Sequence, residues 1–169
     1  MASSAGTAAK LSASARTKVP VSNGLVGRAV GNRAAHDLKG VDMLKDHASS
    51  AIVPCADLPR ARAFYEDILG LPLIADHGSG FVFGTGATNL NVYLSDYAGA
   101  NRANAVVWSV GDELELIAAD LRAKGVRLEE YPDGFDRVVE GVHVRGGLSV
   151  IWFKDPDGNI LHLSSGNAN

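Results

Sequence analysis

The stretch "VIWFKDPDGNILHL", residues 150–163, carries the first side chain with chemistry of its own, His162, set among aliphatic residues near the end of a strand-like run. A histidine there can ligate a metal, exchange a proton near neutral pH, or hydrogen-bond a molecule from a pocket wall. Strand alternation puts Ile160, His162 and Ser164 on one face and Leu161 and Leu163 on the other. The earlier run "TNLNVYLS" offers a phenol, Tyr93, with Asn91 and Ser95 on the same face. Cys55, the single cysteine, follows Pro54 at a strand end and reads as a small buried residue rather than a reactive thiol. One cysteine excludes an intrachain disulfide and a cysteine-based zinc site. His77, His143 and Glu140 fall on predicted loops, and no spacing directs them toward His162.

The elements that must position these residues form one unit used twice. "SSAIVPC" reads as a strand, and Asp57 then offers an N-cap with Pro59 in the first helical turn, where a missing N–H is harmless. Leu58, Ala61, Phe64 or Tyr65, and Ile68 recur at helical spacing before Gly70 stops the helix. "LPLIAD", "GFVFG" and "TNLNVYLS" follow as three strands. The second half starts with the strand "ANAVVWSV". Asp112 and Glu115 there make a D-x-x-E capping pattern ahead of Leu114, Ile117, Ala118 and Leu121, and Gly125 is the stop. "VRLEEY", "LSVIWFK" and "NILHLS" supply three more strands, the last two joined by a DPDG turn in which Pro156 fixes φ at the second position and Gly158 takes a left-handed conformation. Residues 132–147, "PDGFDRVVEGVHVRGG", have no counterpart in the first half and read as a long loop, either a binding loop or a surface insertion.

Charge and composition narrow the function classes. Of the 16 Lys and Arg, six lie in residues 1–42, leaving ten beyond them; of the 19 Asp and Glu, two lie there, leaving seventeen. The part expected to fold is therefore acidic, which argues against nucleic acid or an anionic membrane surface as a partner. No apolar run reaches the length of a membrane span. Residues 1–42 are rich in Ala, Ser and Arg, lack helical or strand periodicity, and read as a disordered extension ahead of a single domain over 43–169. Two readings of that extension are open: an organelle transit peptide for a mitochondrion or plastid, or a bland extension with Met43 as an alternative start. The default compartment is the cytoplasm.

Two βαβββ modules, about residues 48–96 and 103–165, with "DLPRARAFYEDILGLPL" early and "WFKDPDGNILHLS" at the end, resemble the vicinal oxygen chelate superfamily of glyoxalases, bleomycin-resistance proteins and dioxygenases. The resemblance implies an α+β fold in which the modules form a curled eight-stranded mixed sheet around a concave site. Metal-dependent members hold a divalent ion with His or Glu from the first and fourth strand of each module. In this sequence those positions fall on Ser50, Tyr93, Ala105 and His162, so the ligand set shrinks to one plausible donor.

The resulting expectation is a small-molecule-binding protein without a cofactor or metal, and with a homodimer as the expected assembly. Its pocket is expected to draw on Ser50, Ile52, Asn91, Tyr93, Ala105, Val107, Tyr131, Trp152 and His162, with Tyr131 and Trp152 as flat surfaces for a conjugated ligand. The alternative is a lyase, isomerase or dioxygenase with an atypical metal site or with metal-free chemistry at His162 and Tyr93. Trp108 is expected in the core beside Val106 and Val110; Trp152 is open between core and pocket.

Overall fold

The computed structural model describes residues 44–166. The N-terminal extension, and with it both readings of residues 1–42 and of Met43, lies outside them.

The first module runs β1 (Ala51–Cys55), α1 (Leu58–Arg62) continued by a π-helical segment (Ala63–Ile68), β2 (Leu73–Asp76), β3 (Gly80–Thr85) and β4 (Thr88–Leu94). Its four strands lie in the order β1-β4-β3-β2, with β1 and β4 parallel and the rest antiparallel. Parallel neighbours need a crossover, and α1 with the β2–β3 hairpin provides it. Alternation decides which side faces the helix: Val53, Cys55, Leu90 and Val92 are fully buried, whereas Ile52 is 63% exposed and Tyr93 is 40% exposed on the opposite face.

Asp57 caps α1 as expected, its carboxylate accepting from the Arg60 N–H at 2.8 Å, and Pro59 occupies the first turn. The helix then widens into a π-turn over Ala63–Ile68, closed by the Leu69 N–H donating to the Phe64 carbonyl at 3.0 Å. This selects Tyr65 over Phe64 as the fully buried ring. Tyr65 Oη donates to Asp155 Oδ2 at 2.7 Å, across to the second module.

The second module runs β5 (Asn104–Ser109), a short 3₁₀ turn (Gly111–Glu113), α2 (Leu114–Ala123), β6 (Leu128–Glu129), β7 (Arg137–Val139), β8 (Val142–Arg145), β9 (Leu148–Lys154) and β10 (Ile160–Ser164). The sheet order is β5-β10-β9-β8-β7, with β6 also pairing with β9. Leu114, Ala118 and Leu121 bury one stripe of α2 against it. The expected capping box of Asp112 and Glu115 does not form. The chain enters α2 through the 3₁₀ turn after Gly111 at φ +55°, and no side chain caps the helix.

The largest departure concerns residues 132–147. Instead of a loop, they supply the β7–β8 hairpin, which lengthens this sheet to six strands and brings the total among the described residues to ten rather than eight. Val139 pairs with Val142 across Glu140 at φ +50° and Gly141 at φ +80°, a two-residue turn with both central residues left-handed. Arg145 pairs with Leu148 across Gly146 and Gly147 in the same way. The run "VRLEEY" contributes only two residues of strand, because β8 occupies the rest of the β9 edge.

The DPDG turn forms as read, with Gly158 at φ +83°, and it also ties the modules together. The buried Asp155 carboxylate accepts from Tyr65 Oη, Asn159 Nδ2 and the backbone N–H groups of Asp157 and Asn159 at 2.7–3.0 Å. Asn159 Nδ2 also donates to the Pro54 carbonyl at 2.8 Å, while Asp157 Oδ1 accepts from Arg60 and from the Ala56 N–H. Four donors thus satisfy this one buried carboxylate.

Candidate functional site

The second sheet positions the site. In the antiparallel register of β9 and β10, His162 stands opposite Trp152, and in the parallel register of β10 and β5 it stands beside Val107. The three side chains therefore share one face, away from α2, where Val107 is 58% exposed. The indole of Trp152 and the imidazole of His162 stack with centroids 4.8 Å apart and planes 16° apart. The turn after β6 and the chain leading into β7 bring Tyr131 and Phe135 over the same strand. Their rings stand steeply against the indole, at 84° and 66°, with centroids 5.5 and 5.8 Å away.

His143, on β8, closes the cluster. It is fully buried, 5.0 Å from Trp152 and 4.9 Å from Phe135 by ring centroids. Its Nε2 accepts from the Tyr131 backbone N–H at 2.7 Å, which places the ring proton on Nδ1. This bond holds the Tyr131 segment down on the hairpin. Asp136 secures the other end, its N–H donating to the Val144 carbonyl and its carboxylate accepting from the Gly146 N–H, each at 2.8 Å.

These rings border an open cavity of about 470 Å³, lined by Arg102, Asn104, Tyr131, Phe135, Trp152 and Ile160 among others. That volume lies in the range of small-molecule sites. A smaller cavity of about 170 Å³ lies on the helix side of the same sheet, among Ile68, Ile117, Leu121, Trp108 and Phe153. Its lining is almost wholly apolar, as expected of a packing gap between α1, α2 and the sheet. Trp108 is half-buried there, on the core side as expected, with its Nε1 donating to Thr85 Oγ1 at 2.5 Å.

Of the residues expected at the site, Tyr131 and Trp152 line the large cavity, and His162 backs the indole. Ala105 and Val107 lie on the adjoining strand β5. Ser50, Ile52, Asn91 and Tyr93 belong to the first module: Ile52 pairs with Asn91 and Pro54 with Tyr93, and none of them lines this cavity. Arg102, Phe135 and His143 were not legible as site residues, whereas alternation had already put Ile160 on the face of His162. The readable signal for Phe135 and His143 was the Gly-Gly of "VRGGLS" and the Glu-Gly of "VVEGVHV", each a two-residue turn between β-rich runs.

Two electrostatic facts bear on chemistry. Burial lowers the His162 pKa from its ordinary value near 6.5, so the ring is neutral at neutral pH. Its Nε2 is buried and has no hydrogen-bond partner among the described residues. The Cys55 thiol is fully buried, and desolvation with the Asp157 and Asp155 charges raises its pKa.

A divalent metal does not fit this donor set. His162 Nε2 is enclosed and His143 Nε2 is engaged by a backbone N–H. Among the described residues no three His, Cys, Asp or Glu side chains converge.

The glyoxalase-like domain model matches residues 49–167. The chain belongs to the glyoxalase-like family of the vicinal oxygen chelate superfamily. Solved structures of similar fold include a fosfomycin resistance protein from Listeria monocytogenes, 18% identical with a TM-score of 0.57 over 72% of this chain and 94% of that one. A lactoylglutathione lyase from Agrobacterium tumefaciens is 17% identical with a TM-score of 0.54, over 70% and 92% of the two chains. A glyoxalase/bleomycin resistance protein/dioxygenase from Alicyclobacillus acidocaldarius is 16% identical with a TM-score of 0.54, over 70% and 90%. At these identities the likeness concerns the fold.

Proposed function

We propose that this chain is a metal-independent small-molecule-binding protein that takes a flat, conjugated ligand against Trp152. The observation that carries the reading is the aromatic box itself: three rings at steep angles around a cavity, with no metal-ligand set beside it among the described residues. Aromatic walls gain roughly 0.5–1.5 kcal/mol per stacked or edge contact beyond area burial, and a half-buried indole is already ordered to receive one.

The geometry favours binding over catalysis by His162 and Tyr93. These two side chains belong to different sheets. The reading includes a homodimer in which a second copy covers the apolar inner positions Ile52 and Val107, supported by their exposure of 63% and 58%. No described helix is long and apolar enough to cross a membrane. We place the protein in the cytoplasm, for which the lone, buried cysteine is the support.

Metal analysis of untagged protein, paired with a tryptophan-quenching screen of bicyclic aromatic fragments, tests the reading. Quenching that survives EDTA treatment, with far less than one metal per chain, is the expected result. About one equivalent of Zn, Ni, Mn or Fe per chain, lost in His162→Ala, overturns it in favour of a metalloenzyme.

A further inference from the structure

We infer that the ligand of the aromatic cavity is an aromatic carboxylate, held at the rim by Arg102. This rests on the small-molecule-binding reading and names the class of ligand.

The lining is lopsided in charge. Among the described residues, Arg102 is the only charged one that lines it, and no carboxylate does. This occurs in a domain where acids outnumber bases seventeen to ten beyond residue 42. Lys45, Arg60, Arg62, Arg122, Lys124 and Lys154 all make ion pairs. Arg102, like Arg127, Arg137 and Arg145, makes none among the described residues, and of these four it is the one that lines this cavity, where it is exposed.

An aromatic box alone would also suit a cation, through attraction to the ring faces. Arg102 decides against that, because an ammonium in this cavity meets a fixed positive charge with no carboxylate to offset it. A guanidinium fork instead pairs with two carboxylate oxygens at once, and the Asn104 side-chain amide can add a donor beside it. The ring system then lies on Trp152, whose other face is taken by the neutral imidazole of His162. The lining offers polar groups at Arg102 and Asn104 and apolar surface at Ile160, Phe135 and Trp152, so one ligand can meet both.

Isothermal titration with 2-naphthoate, 2-naphthamide and 2-naphthylmethylammonium, which share one ring system and differ in charge, tests the inference. The naphthoate should bind about tenfold more tightly than the amide, with the ammonium weakest. Arg102→Gln should bring naphthoate down to the level of the amide, and Arg102→Lys should retain part of the preference. Thermal melts check that both variants are folded, which a rim position favours. If the amide or the ammonium binds as well as naphthoate, or Arg102→Gln leaves the preference intact, the anion assignment fails while the aromatic site stands. Should none of the three bind, the aromatic site fails and the assignment fails with it.

Discussion

Replacing Trp152 with alanine removes the plate on which the ligand is proposed to lie. A ligand ring covering on the order of 40 Å² of indole surface, at roughly 25 cal/mol per Å², contributes about 1 kcal/mol. The aromatic geometry adds roughly 0.5–1.5 kcal/mol. The sum, about 1.5–2.5 kcal/mol, corresponds to roughly a 10- to 70-fold rise in Kd. The protein loses four ring contacts as well, to His162, His143, Tyr131 and Phe135. Because the indole is half-buried, the stability loss should stay below the roughly 3–5 kcal/mol of a fully buried tryptophan. Calorimetric titration with 2-naphthoate measures the first effect and urea unfolding the second. Trp152→Phe keeps a ring and should weaken binding less than the alanine variant. A Kd unchanged within twofold in Trp152→Ala, together with a stability loss of about 3 kcal/mol or more, would show that Trp152 is core and that the site lies elsewhere.

His162→Phe preserves an aromatic partner for Trp152 and deletes a buried, unpartnered nitrogen; its stability at pH 8 should match or exceed that of the parent. The lowered pKa of His162 means that the unfolded chain takes up its proton first as pH falls. Its contribution is therefore complete above about pH 6.5, declines below that value, and levels off below the folded-state pKa. Urea midpoints between pH 8 and pH 5 should accordingly fall more in the parent than in His162→Phe, and equal slopes would contradict the assignment. Tyr65→Phe removes one donor from the buried Asp155 carboxylate and should lower stability by roughly 1.5–3 kcal/mol in urea unfolding. Asp155→Ala strands several buried donors and should cost more than Tyr65→Phe. Cys55 should react with a thiol reagent only as fast as the protein opens, and rapid labelling of native protein would show that the strand end is not closed.

Much of the fold was legible because it rests on local rules. Period-two alternation in "SSAIVPC" and "NILHLS" assigned Val53, Cys55, Leu161 and Leu163 to the core and His162 to the other face. The N-cap at Asp57 and the turn at Gly158 followed from side-chain chemistry within a few residues. Local signals fell short where neighbouring turns or strands decided the outcome. Asp112 and Glu115 carry a capping pattern, yet the 3₁₀ turn after Gly111 sets how the chain enters α2. The length of β6 was decided by β8 competing for the same edge of β9.

The sequence by itself determined a strand–helix–strand unit used twice and its core faces, and the resemblance to the superfamily put the expected ligand positions on Ser50, Tyr93, Ala105 and His162. Only the tertiary structure decided what His162 does, because that depends on Trp152 lying opposite it at 4.8 Å and on burial lowering its pKa. The same holds for His143, which looked like a loop residue and proved to be a fully buried anchor for the Tyr131 backbone. Arg102 and Phe135 lie 33 residues apart in the chain and line one cavity. Neither residue is periodic, capped or part of a motif. Their meeting is a product of β5 and the β7–β8 hairpin joining one sheet, and such long-range pairing leaves no local mark in the sequence.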